Sequence, residues 1–83
     1  MTLASILSEM AGGCLAGSRS DSVLAATWMT FPGGRGLVLV ERTYRDGLCV
    51  IIDPTEADLE TLRSGDLWDL WNSERAARLD GLA

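Results

Sequence analysis

Residues 37–52 read Leu-Val-Leu-Val-Glu-Arg-Thr-Tyr-Arg-Asp-Gly-Leu-Cys-Val-Ile-Ile, two apolar runs around an Asp-Gly pair. Apolar, β-branched runs favour extended backbone, and Asp46-Gly47 is the sequence of a two-residue type I′ hairpin turn. The pattern predicts strands over residues 37–44 and 48–52, with Arg45 facing Leu48 and Thr43 facing Val50. Upstream, the stretch from Ser22 to Phe31 is rich in β formers and predicts another strand. Pro32-Gly33-Gly34-Arg35-Gly36 is the turn between them. Three strands joined by tight turns make an antiparallel meander.

Side chains alternate across a strand, so Leu37 and Leu39 point one way and Val38 and Val40 the other. Both faces are apolar, unlike a sheet with one wetted face. Each face then needs a cover, from helices or from another chain. Leu3, Ile6, Leu7, Met10, Ala11, Cys14 and Leu15 recur at the helical period and predict a helix from residue 3 to as far as 15. The polar stretch 17–22 reads as a loop. Downstream, Asp53-Pro54-Thr55-Glu56 is a helix start, with Asp53 as cap, Pro54 at the first position and Glu56 placed for a capping box. Leu59 and Leu62 give that helix its apolar edge, and Gly65 is its stop. A second helix is predicted from Asp66 to about Leu79. The expected fold is one small α+β domain over residues 1–83. It is a three-stranded antiparallel sheet flanked by one N-terminal helix and two short C-terminal helices.

Composition removes several functions. The chain has 83 residues, 7 Arg, no Lys, no His and 12 acids, for a net charge of -5. A protein that grips nucleic-acid phosphate needs a basic face, so direct nucleic-acid binding is not expected. Without His or Lys, the usual bases that activate Ser or Thr are missing, and catalysis is not expected. Gly33-Gly34-Arg35-Gly36 lacks the Lys of a phosphate loop and precedes a strand, where a dinucleotide fold needs a helix. The acids after residue 52 do not have the spacing of a calcium loop. No cofactor and no metal site are expected. Cys14 and Cys49 are read as reduced thiols packed as small hydrophobes, with a disulfide within or between chains as the alternative. Ala11-Gly12-Gly13-Cys14 resembles a lipoprotein box, but no basic residue precedes it and Glu9 interrupts the apolar stretch. A cytoplasmic protein with no membrane partner is expected.

Charge is unevenly placed. Residues 1–52 hold four acids and four Arg, whereas residues 53–83 hold eight acids and three Arg, so the whole net charge lies in the second segment. Helix dipoles explain Asp53, Glu56 and Asp66, but they explain Asp58, Glu60 and Asp69 less well. The further reading is an acidic face that docks on a basic one. Trp68 and Trp71 stand three apart beside Asp66 and Asp69, as core residues or as interface anchors. Trp28 is read as core. Arg42 and Arg45 flank Tyr44, as a solvated turn or as a second contact patch. The candidate partner-binding residues are Asp53, Glu56, Asp58, Glu60, Asp66, Trp68, Asp69 and Trp71.

In size, acidity and helix–strand–strand–strand–helix–helix layout, the chain resembles the small CRISPR inhibitors (anti-CRISPR proteins) encoded by phages and mobile elements. Those proteins share no motif. The resemblance implies a non-enzymatic inhibitor, with the segment from Asp53 to Asp69 set against the basic nucleic-acid-binding surface of a bacterial defence complex. The same features fit an antitoxin or immunity protein against a basic nuclease. They also fit a small assembly subunit that forms a homodimer or larger oligomer through its apolar sheet.

Overall fold

The computed structural model describes residues 12–45 and 47–79. The chain forms β1 (Cys14–Ser20), β2 (Leu24–Phe31), β3 (Arg35–Arg42), β4 (Leu48–Ile52), α1 (Glu56–Ser64), α2 (Leu67–Trp71) and β5 (Ala77–Arg78). The sheet has five strands in the order β1-β2-β3-β4-β5, and every neighbouring pair is antiparallel. The three-stranded expectation is therefore corrected by one strand at each edge.

β1 replaces the expected loop and the end of the expected first helix. Cys14 and Leu15 lie opposite Thr30 and Met29, and a bulge at Ala16 precedes the pairs Gly17–Trp28 and Ser18–Thr27. The rest of that helix, residues 3–11, lies outside the described residues. The Gly and Ser residues of β1 are poor strand formers, but the neighbouring strand supplies a complete backbone ladder. The reversal into β2 is built by Asp21, whose Oδ1 accepts from the Val23 and Leu24 N–H groups at 2.7 and 2.8 Å. This side-chain turn is the local signal for the extra hairpin.

The second correction concerns the β3–β4 hairpin. Glu41 faces Leu48 and Leu39 faces Val50, and Arg42 N–H donates to the Gly47 carbonyl at 3.0 Å. The connection is thus wider than two residues. Gly47 serves packing: a Cβ there would lie 2.7 Å from Arg42 Cδ and 3.1 Å from the Trp71 ring. By contrast, Gly33 and Gly34 take positive φ in the β2–β3 turn, as a Gly-rich turn requires.

The third correction is the last helix, which stops at Trp71 instead of running to Leu79. Asn72 caps it, and Ser73 then accepts from Arg75 N–H through its hydroxyl and from Ala76 N–H through its carbonyl. Such polar side chains offer the backbone an alternative to further helix. The chain then returns to the sheet, with Arg78 opposite Cys49 and Ala77 opposite Val50.

Both sheet faces carry apolar residues. One face presents Leu24, Ala26, Val38, Val40, Cys49 and Ile51 to Leu59, Leu62, Leu67, Leu70 and Trp71 of α1 and α2. Both helices therefore cover the same face. On the other face Met29 and Leu39 are fully buried within a single chain, with Phe31, Leu37, Leu48 and Leu79 around them. Burial of that centre does not need a second copy. Cys14 is exposed, Cys49 is buried, and they are not joined.

Arg19 fastens β1 to the helical layer. Its guanidinium donates to the carbonyls of Thr61, Arg63 and Gly65 at the C-terminal end of α1. The Thr61 carbonyl also accepts from Gly65 N–H, whereas the last carbonyls of a helix have no partner within it, and a cation there opposes the helix dipole. Replacing Leu70, which is 1% exposed, with Ala should cost about 2–5 kcal/mol in urea unfolding. Arg19→Ala should cost about 1 kcal/mol, and a neutral result would remove Arg19 from the list of ties between the layers.

Candidate interaction surface

The carboxylates between residues 53 and 69 divide by what the fold does with them. Asp53 is not the helix cap. It ends β4 in the left-handed region, with φ 51°, a conformation in which Asp and Asn are enriched. Its N–H donates to the Gly36 carbonyl at 2.8 Å, and its Oδ1 accepts from Gly36 N–H at 3.3 Å. Arg35 closes the corner with Nε to Oδ1 at 3.0 Å and Nη2 to Oδ2 at 2.8 Å. The Arg35 hydrogen bond, with that of Gly36, holds the Asp53 carboxyl below its ordinary pKa.

The cap of α1 is Thr55, and its capping-box partner is Asp58 rather than Glu56. Asp58 N–H donates to Thr55 Oγ1 at 3.3 Å, and Thr55 N–H donates to Asp58 Oδ2 at 2.8 Å. Asp58 is only 6% exposed, and both its oxygens accept from the Nη atoms of Arg75. A buried carboxylate needs such pairing to remain ionised. The Arg75 hydrogen bond outweighs burial and keeps the Asp58 pKa below its usual value. Asp58 is therefore a structural joint between the start of α1 and the turn after α2.

Glu60 is exposed, and it accepts from Arg63 at 3.1 Å and from the Ser64 hydroxyl at 3.1 Å. Asp66 caps α2 through Trp68 N–H at 3.0 Å, with its side chain at the surface. Glu56 and Asp69 are exposed, and neither makes a side-chain bond or ion pair among the described residues. Trp71 is buried in the core. Trp68 is half-buried and packs edge-on against Trp71, with ring centroids 6.4 Å apart and planes at 83°. Of the eight expected residues, the surface keeps Glu56, Asp66 and Asp69 as carboxylates without an arginine partner among the described residues, with Trp68 between the last two in sequence.

Nothing in the sequence spacing indicated that Arg75 would reach Asp58, or that Arg35 would reach Asp53. Both pairings depend on chain reversals that bring distant residues together. Trp28 is also half-buried. It borders a cleft of about 350 Å³ with Thr30, Gly36, Asp53, Pro54 and Leu59. Among the described residues no three side chains are grouped to hold a metal ion, and no helix is long and apolar enough to cross a membrane. No family model, curated protein or solved structure matches this chain.

The lowered pKa values of Asp21, Asp53 and Asp58 have one direction in common. A carboxyl with its folded pKa below its unfolded value contributes stability above the unfolded pKa, near 4, and that stability is lost as pH falls through the folded pKa. The urea midpoint should therefore fall on going from about pH 7 to about pH 3. Asp58→Asn should lower the midpoint at neutral pH and flatten the acid slope. An unchanged slope in that variant would show that the Asp58–Arg75 pair is not linked to folding.

Proposed function

We propose that this is a non-catalytic binding protein, cytoplasmic in a bacterial host, that inhibits its partner by occupying a basic nucleic-acid-binding surface. The observation that supports this most directly is the set Glu56, Asp66 and Asp69, exposed and free of arginine partners among the described residues, with half-buried Trp68 between the last two in sequence. Negative charge on the helical segment steers a basic partner into contact, and a Trp between Asp66 and Asp69 in sequence supplies apolar anchor area. Glu60 contributes partial charge, since Arg63 already shares it. Asp58 is left out of the contact set, because reversing it would dismantle the start of α1.

The likeness to small CRISPR inhibitors now rests on size and acidity, because the layout has five strands rather than three. With net charge -5 and only part of it exposed and unshared, steric coverage of a basic site fits better than close imitation of a DNA backbone.

The test is affinity capture from bacterial lysate with the wild-type chain and with Glu56→Lys/Asp69→Lys. The wild type should retain a basic nucleic-acid-handling protein at low salt and lose it at high salt. The variant loses two first-turn acids, so it should unfold a few degrees below the wild type, stay folded at the temperature of capture, and retain none. Equal retention by both chains would rule out the acidic surface as the contact.

A further inference from the structure

A second surface is chemically different and shares only Trp68 with the acidic surface. It lies where the β3–β4 loop meets α2 and β5. The Arg42 guanidinium lies 5.9 Å from the ring centroids of both Trp68 and Trp71, and that of Arg78 lies 3.9 Å from Trp71. Arg42 Nε is buried and has no hydrogen-bond partner among the described residues. Neither arginine, nor Arg45 three residues after Arg42, pairs with a carboxylate of a described residue. Arg42, Thr43, Tyr44 and Arg45 line an open cleft of about 560 Å³, and the Tyr44 side chain at its edge is 85% exposed.

We infer that Arg42, Tyr44 and Arg45, with the arginine–tryptophan base beneath them, form an anion-recognition tip that takes an acidic segment of a partner protein. A guanidinium held against aromatic rings has already lost rotamer freedom, so an incoming carboxylate meets a preorganised donor. Tyr44 adds amphipathic contact area, and Tyr and Arg are the residue types that dominate protein-binding hot spots. Nucleic acid is the poorer fit. Affinity for a phosphate backbone comes from many cations tracking it, whereas three arginines on a chain of net charge -5 match a short cluster of Asp and Glu.

The test is an NMR titration of the isotope-labelled full chain with an oligo-glutamate peptide, and separately with oligothymidylate. Peptide at up to about millimolar concentration should shift the signals of Tyr44, Arg45 and the Trp68 indole. Tyr44→Ser and Arg45→Glu change exposed side chains, so both variants should keep the wild-type circular dichroism. Each should weaken peptide binding at least ~tenfold. Tighter binding of oligothymidylate than of peptide would overturn the assignment in favour of nucleic acid. Absence of shifts with either probe, or wild-type affinity in both variants, would overturn the tip as a site.

Discussion

Everything else in this fold depends on burying one apolar sheet face under two short helices. Leu24, Ala26, Val38, Val40, Cys49 and Ile51 supply the sheet side of that contact, and five residues of α1 and α2 supply the other. Removing this surface from water is the main favourable term in so small a domain. A helix of five residues such as α2 has no independent stability in water, because nucleation costs more than its few hydrogen bonds return. It exists because Leu67, Leu70 and Trp71 are drawn into the face. The Asp66 cap and the Asn72 stop then set its length.

The charged groups follow from that packing. With the helices fixed, Asp58 is carried into a buried position, where leaving it unpaired would cost several kcal/mol. Arg75 answers that cost, and the polar turn at Asn72 and Ser73 brings it back within reach. Arg35–Asp53 and Arg63–Glu60 are different, because both pairs are largely exposed and screened by water. Such pairs add little stability, but they decide which carboxylates a partner would find unshared.

The centre of the fold was legible because its signals are local. The β4 boundaries, the β2–β3 turn at its glycines, the stop at Gly65 and the two apolar faces follow from composition and alternation over a few residues. The edges were not. β1 has weak strand propensity, and its partner is the ladder offered by β2, although Asp21 between two serines did carry the turn chemistry. The helix expected beyond Trp71 followed an apolar period through Ala76 and Leu79, and that reading gave too little weight to Asn72-Ser73. Asp46-Gly47 pointed to a two-residue turn, whereas Gly47 is present because Arg42 and Trp71 leave no room for a Cβ. The acidic segment was visible as charge, but its division into structural and exposed carboxylates was not. That division is set by which arginine the tertiary fold brings near.

The arginines obey two different rules. Arg19, Arg35, Arg63 and Arg75 are placed by oxygen atoms, either helix-end carbonyls or carboxylates. Arg42 and Arg78 are placed by indole rings, which hold a guanidinium without neutralising it. Glu56 and Asp69 could have been matched to those cations if internal pairing were the only constraint on charge. Instead the fold fixes the two arginines on Trp71 and leaves these two carboxylates exposed on the helical segment. Such an arrangement gains little for an isolated chain, since unpaired surface charge neither buries apolar area nor satisfies a buried group. It leaves charges of opposite sign on one small domain, the carboxylates exposed on the helical segment and the arginines against the indole rings.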